Sequence, residues 1–325
     1  SSCLFMKESF YTWPGNSFPF RLYLDRPECR IFIIENIFHN YNWLKEVKGH
    51  IRETDFFFVL SGWNMSQHIA QTNKKVLNEL GISQKQFFIL YNDLDEMGYG
   101  SDAGFNGDLI PQASWMDESR FKIIQSEKKY NALYIARPTE FKRHYLASGI
   151  KKLALAAGGA NHNNPKVQLP KSLNDPFKNL NRKEIVDIIN ESRCGLCLSE
   201  EEGASFCSAE YLLCGVPVVS TPSKGGRQLW YNLNNSIITE PNQKDVAKAV
   251  EQIIEKKLDP ELIREEHIKK MGVFRGKFIS VLNSLFKTFG ISDINAAQFF
   301  HENFFEKMRG GMYQEDVIKI FQKNT

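Results

Sequence analysis

Short unbroken apolar runs alternate along this chain with longer stretches in which apolar residues recur every three or four positions. Residues 30–34 (RIFII), 56–60 (FFFVL) and 86–91 (QFFILY) read as strands buried on both faces. Residues 65–80 have helical spacing, with Gly81 as the stop. Residues 92–119 turn to Asn, Asp, Gly and Ser around one apolar patch at Leu109-Ile110, which predicts a long loop. The polar stretch 125–131 marks a boundary, and the alternation then restarts. Strands are predicted at 132–136, 166–169, 194–199, 216–221 and 236–239. Helices are predicted at 142–157, at 182–190 capped by Asn181, at 205–214 closed by Gly215, and at 245–255. From Leu258 the tail is helical, with Phe299, Phe300, Phe304 and Phe305 at helical spacing, and is expected to pack back on the first half.

Such alternation predicts an α/β fold of two Rossmann-like, doubly wound parallel-sheet domains. The expected division is 1–128, 129–290 and a returning helical tail at 291–325. At 325 residues, with 42% hydrophobic and 24% charged content, the chain has the composition of a globular protein of about two domains. A formal charge of +3, with Lys and Arg dispersed, argues against a nucleic-acid partner. No apolar run approaches the roughly 20 residues that span a bilayer, and the N-terminus lacks signal-peptide features. A cytoplasmic protein is expected, touching at most the inner face of a membrane. The six cysteines include Cys194, Cys197, Cys207 and Cys214; the reading favours reduced, buried residues over a metal or redox role.

In an open parallel sheet, ligands bind beyond the carboxyl ends of the strands. Three predicted loops open there. One carries Arg137 and Lys142, one carries Glu202, and one carries Lys224, Gly225, Gly226 and Arg227. Two cations beside a small-residue helix start, Gly203-Ala204-Ser205-Phe206, suit a phosphate or diphosphate. Glu202 before that helix and Glu210 inside it suit hydroxyl groups, because a carboxylate accepts well from diols. A diphosphate flanked by two polyhydroxylated rings is a nucleotide-sugar. His39, after a strand of the first half, together with Lys224 and Arg227, is a candidate for the acceptor or the cleft.

Glu202 and Glu210, seven residues between them, run on into LLCGVPVVST, and Arg137 and Lys142 precede them with four residues between. This pattern, with Gly225-Gly226, resembles retaining GT-B glycosyltransferases of the GT4 type. The resemblance covers residues 130–255 well and the first half by architecture only. It departs where Arg227, Gln228 and Leu229 follow the glycine pair and where Ala204-Ser205-Phe206-Cys207 opens the helix. It implies two domains facing a cleft and transfer of a sugar from a nucleotide diphosphate donor with retention of configuration. It implies Arg137, Lys142 and Glu202 as catalytic residues, with Gly203, Ala204, Ser205, Phe206, Glu210, Gly225 and Gly226 holding the donor. No metal or other cofactor is expected, and the acceptor is expected to be a saccharide or lipid-linked glycan. The rival from another class is a catalytically silent nucleotide-sugar or carbohydrate-binding protein; a third reading is a cysteine-coordinated metal or redox protein.

Overall fold

A computed structural model describes Trp13 and residues 17–323. The chain divides into two compact units, residues 1–115 with 274–325, and residues 116–273. The boundaries fall thirteen to seventeen residues before the expected 128/129 and 290/291 positions, the second of them inside a long helix, Pro260–Thr288.

The first unit holds β1 (Ser17–Phe18), β2 (Phe20–Asp25), β3 (Arg30–Glu35), β4 (Asp55–Leu60), β5 (Phe87–Tyr91) and β6 (Asn106–Leu109). Its sheet runs β2-β3-β4-β5-β6; β2 pairs antiparallel to β3 and the rest are parallel. Helices α1 (Tyr41–Val47), α2 (Gln67–Leu80) and α3 (Leu94–Asp102) connect the parallel strands. Ser66 caps α2 by accepting from the Ile69 amide, and Gly81 ends it in the left-handed region at φ 68°. Because these parallel strands follow one another in order, the winding does not reverse within the unit. Its second face is covered instead by the C-terminal segment: Phe278, Leu282, Phe286 and Phe300 join Ile31, Ile33, Phe58 and Leu90 in one core. Phe299 meets the Tyr23 ring edge-on at 5.0 Å.

The segment 92–119, expected as a loop, contains α3 and β6. Asp93 caps α3 by accepting from the Glu96 amide. The strand was hidden because β6 (NGDL) lies at the sheet edge, pairs only with β5 and needs no apolar run.

In the second unit the strands are β7 (Ala132–Ile135), β8 (Leu153–Ala156), β9 (Gly195–Cys197), β10 (Val218–Ser220) and β11 (Ser236–Ile238). All are parallel, in the order β11-β10-β9-β7-β8. The helices are α4 (Arg182–Asn190), α5 (Phe206–Leu213) and α6 (Gln243–Glu255), followed by α7 (Pro260–Thr288). Asn181 and Glu184 form a full capping box at the start of α4.

The helix expected at 142–157 is absent. Short 3-10 turns at Glu140–Lys142 and His144–Ala147 give way to β8, whose LALA run is buried throughout. A short apolar run reads equally as a buried strand or a buried helix segment, and Arg143 and Lys152 in the left-handed region break any continuous helix. No strand forms at 166–169 either. Among the described residues no helix is long and apolar enough to cross a membrane.

Candidate functional site

The sheet of the second unit starts at β7, adds β8 on one side, then reverses to add β9, β10 and β11 on the other. Such a reversal leaves a crevice at the carboxyl ends of the two strands that flank it. Those strands are β7 and β9, and the loops leaving them carry Arg137, Lys142 and Glu202.

Backbone hydrogen bonds lace three loops together at this edge. The Glu200 amide donates to the Phe141 carbonyl, the Lys224 amide to the Glu200 carbonyl, and the Glu202 amide to the Lys224 carbonyl, each at 3.0 Å. Gly225 makes the lacing possible. It sits at φ 101°, and a Cβ there would lie 1.7 Å from the Glu202 carbonyl oxygen. Gly226 opens the 3-10 turn Gly226–Trp230, which carries Arg227 inward.

Arg227 is fully buried, which corrects its expected place facing an acceptor. Its Nε donates to Ser220 Oγ at 3.0 Å, and its Nη2 donates to the carbonyls of Ser199 (2.9 Å) and Thr221 (2.8 Å). Arg143, at φ 51°, reaches the same place: Nε donates to the Leu198 carbonyl at 2.7 Å and Nη2 to Thr221 Oγ1 at 2.9 Å. Two guanidinium groups therefore lie under the loops after β9 and β10, bonded to carbonyls and hydroxyls. Neither guanidinium is paired with a carboxylate among the described residues, while Glu200, Glu201 and Glu202 lie on the loop above them.

Glu202 is held from two sides. Lys142 Nζ pairs with its Oε1, and Ser199 Oγ donates to the same oxygen at 2.7 Å while accepting from Arg227 Nη1. The side chains of Lys142 and Glu202 are 18% and 12% exposed, so the pair is oriented but still open to solvent. Tyr134 braces the Lys142 loop from below, its hydroxyl donating to the Lys142 carbonyl at 2.6 Å. Arg137 is exposed on the same loop.

Helix α5 is docked by Tyr211, whose hydroxyl donates to the Leu133 carbonyl (3.2 Å) and accepts from the Ile135 amide (3.0 Å). Gly195 on β9 leaves room for that ring; a Cβ would approach it to 2.2 Å. Gly203, Ala204 and Ser205 are buried and lead into the helix, with Ser205 left-handed at φ 50° and its side chain making no cap to the helix amides. The first amides of α5 have no partner within the helix. Phe206 is half-buried, and Glu210 is buried on the same helix.

The structure thus gathers Lys142, Glu202, Lys224, Gly225 and Gly226 directly, with Gly203–Phe206 leading on to Glu210. His39 belongs to the first unit, packed against Trp13 and Phe38 at ring distances of 4.9 and 4.1 Å, where burial pulls its imidazole down to about 4. Sequence reasoning missed Arg143, Ser199 and Thr221. Nothing in a linear pattern marks Arg143 as turned back under the loops, because its partners lie 55 to 78 residues away.

The strand-end crevice of this α/β unit therefore brings cations, carboxylates and a helix start to one edge. Residues 175–272 match the family model described as "Glycosyl transferases group 1". No curated protein sequence matches the chain significantly. Among solved structures the chain is similar to a sucrose-phosphate synthase from Thermosynechococcus elongatus (TM-score 0.57, 12% identity, covering 79% of this chain and 74% of that one). It is also similar to Anabaena HepE in complex with UDP (TM-score 0.54, 13% identity, 78% of each chain) and in complex with UDP and glucose (TM-score 0.53, 12% identity, 78% and 77%). The fold is that of GT-B glycosyltransferases.

Proposed function

We propose that this chain is a retaining, metal-independent glycosyltransferase of the GT4 type, moving a sugar from a nucleotide diphosphate donor to an acceptor hydroxyl. The observation that carries the reading is the β7/β9 switch point, with the Lys142–Glu202 pair beside the buried Arg227 and the half-buried Arg143. The match of residues 175–272 to glycosyl transferases group 1 supports it, as does the UDP bound in a similar fold.

In this reading Arg137 and Lys142 neutralise the charge that builds on the departing diphosphate, with the start of α5 adding its amides. The bond from the sugar's anomeric carbon to the phosphate oxygen breaks, and the acceptor oxygen bonds to that carbon. The acceptor's proton leaves with the diphosphate. Glu202, oriented by Ser199, holds hydroxyls of the transferred sugar, and Glu210 holds the ribose. The acceptor is a saccharide or lipid-linked glycan, met at the cytoplasmic face of a membrane. Incubation with UDP-, GDP-, ADP-, TDP- and CMP-linked sugars tests this. Release of free nucleotide, dependent on an acceptor, is expected with at least one.

One observation favours a binding protein instead: Lys142 already spends its charge on Glu202. Tight nucleotide-sugar binding without turnover across that panel and a set of saccharide acceptors would select it.

A further inference from the structure

The cysteines left over from the donor site are not equivalent. Cys197 closes β9 and Cys207 lies in the first turn of α5, and their sulfurs are 3.6 Å apart. Cys197 Sγ is also 3.3 Å from Ser208 Oγ, which is 2.6 Å from the Tyr231 hydroxyl. Cys197 is nearly fully buried, whereas Cys207 is half-buried. Cys29, Cys194 and Cys214 are buried, and burial raises their thiols above the ordinary range. Burial alone would do the same to Cys197. There the Cys207 thiol, the Arg227 guanidinium and the Ser208 and Tyr231 hydroxyls outweigh it and favour the thiolate. Nothing comparable surrounds the other buried thiols.

We propose that Cys197 and Cys207 form a modification site, a dithiol that small peroxides close to a disulfide, and that closure disables the start of α5. Peroxide enters past the half-buried Cys207 and meets the Cys197 thiolate, whose sulfur displaces hydroxide from the O–O bond and becomes a sulfenic acid. Cys207, held as the thiol by its neighbour and by burial, gives its proton to that hydroxide, and its sulfur then attacks the Cys197 sulfur and expels a second hydroxide, which is protonated to water. Two thiols lose two electrons and two protons, and the peroxide is reduced to two waters. A disulfide holds its sulfurs about 2.0 Å apart, so the first turn of α5 or the end of β9 has to move. Either movement reaches the donor site: Phe206 and Ser205 precede Cys207, and Ser199, which orients Glu202, is two residues from Cys197. A displacement of about 1 Å in such a site costs on the order of 10²-fold in function.

The test oxidises the folded chain with hydrogen peroxide, blocks remaining thiols and reads intact mass and fragment spectra, with UDP titration in parallel. Wild type is expected to lose two hydrogens through a Cys197–Cys207 link that dithiothreitol reverses. Cys207→Ser and Cys197→Ala are each expected to abolish the link. Cys207→Ser is expected to bind UDP like the reduced wild type and to keep that affinity in peroxide, while oxidised wild type loses about 10²-fold. A wild type that forms no link, a link that persists in either variant, or a link that leaves UDP affinity unchanged would overturn the proposal. If reduced wild type does not bind UDP, the affinity arm is run with GDP, ADP and TDP; if none binds, the donor reading fails and the dithiol is decided by the mass alone.

Discussion

The two units each carry a five-stranded sheet, all parallel in the second and with one antiparallel edge strand in the first, yet they treat the carboxyl edge in opposite ways. In the second unit the strand order reverses between β7 and β9, and the loops above rest on two guanidinium groups, the buried Arg227 and the half-buried Arg143. In the first unit the parallel strands follow in sequence, and the loops close over a buried acid. Glu96 accepts from the Met65 amide (2.8 Å), the Asn92 amide (2.8 Å) and Ser61 Oγ (3.1 Å), tying the ends of β4 and β5 together. One edge gathers a buried guanidinium and the Lys142–Glu202 pair under open loops, and the other is tied by a buried carboxyl. The shared sheet architecture does not fix what its edge carries; in the proposed function, the reversal and the cations of the second edge are what a diphosphate needs.

The largest expected effect comes from removing the buried cation. Arg227→Ala strands the carbonyls of Ser199 and Thr221 and unties Ser199 from Glu202. It should cost about 3–5 kcal/mol, read as a lower urea midpoint for the second unit while probes in the first unit hold. Next comes Arg137→Ala, which is exposed and should leave the fold intact while turnover with the true donor falls about 10²–10³-fold.

The first unit should show its buried acid as a pH effect. Burial raises the Glu96 carboxyl to about 7, above the roughly 4.3 of an unfolded chain. Between those values the folded form binds the extra proton, so stability falls as pH rises from about 4.3 to 7, by up to about 4 kcal/mol. Urea titrations of wild type and Glu96→Gln across that range should show the slope in the former and its loss in the latter. The smallest effect is expected from Glu210→Ala: an unchanged fold and about tenfold weaker nucleotide binding by calorimetry. Equal losses of stability in both units from Arg227→Ala, or a flat pH response in wild type, would erase the contrast.

Much of the second unit could be read from its letters because its chemistry is local. Arg137 and Lys142 follow a strand at a fixed spacing, and Glu202 and Glu210 bracket a helix start. What stayed hidden depends on the third dimension. The LALA of β8 has no period to separate a buried strand from a helix. The polar NGDL of β6 is a strand because β5 pairs it. Arg143 and Arg227 look like surface cations until the loops close over them. Cys197 and Cys207 are ten residues apart and touch only because α5 folds back beside β9.

The most direct test is hydrogen exchange with and without UDP, GDP, ADP and TDP in turn. With at least one of them, slowed exchange is expected, confined to the second unit at residues 137–144, 199–210 and 223–227, and lost in Arg137→Ala. Protection elsewhere, or none in those three segments with any of the four, would contradict a diphosphate site at the β7/β9 switch point.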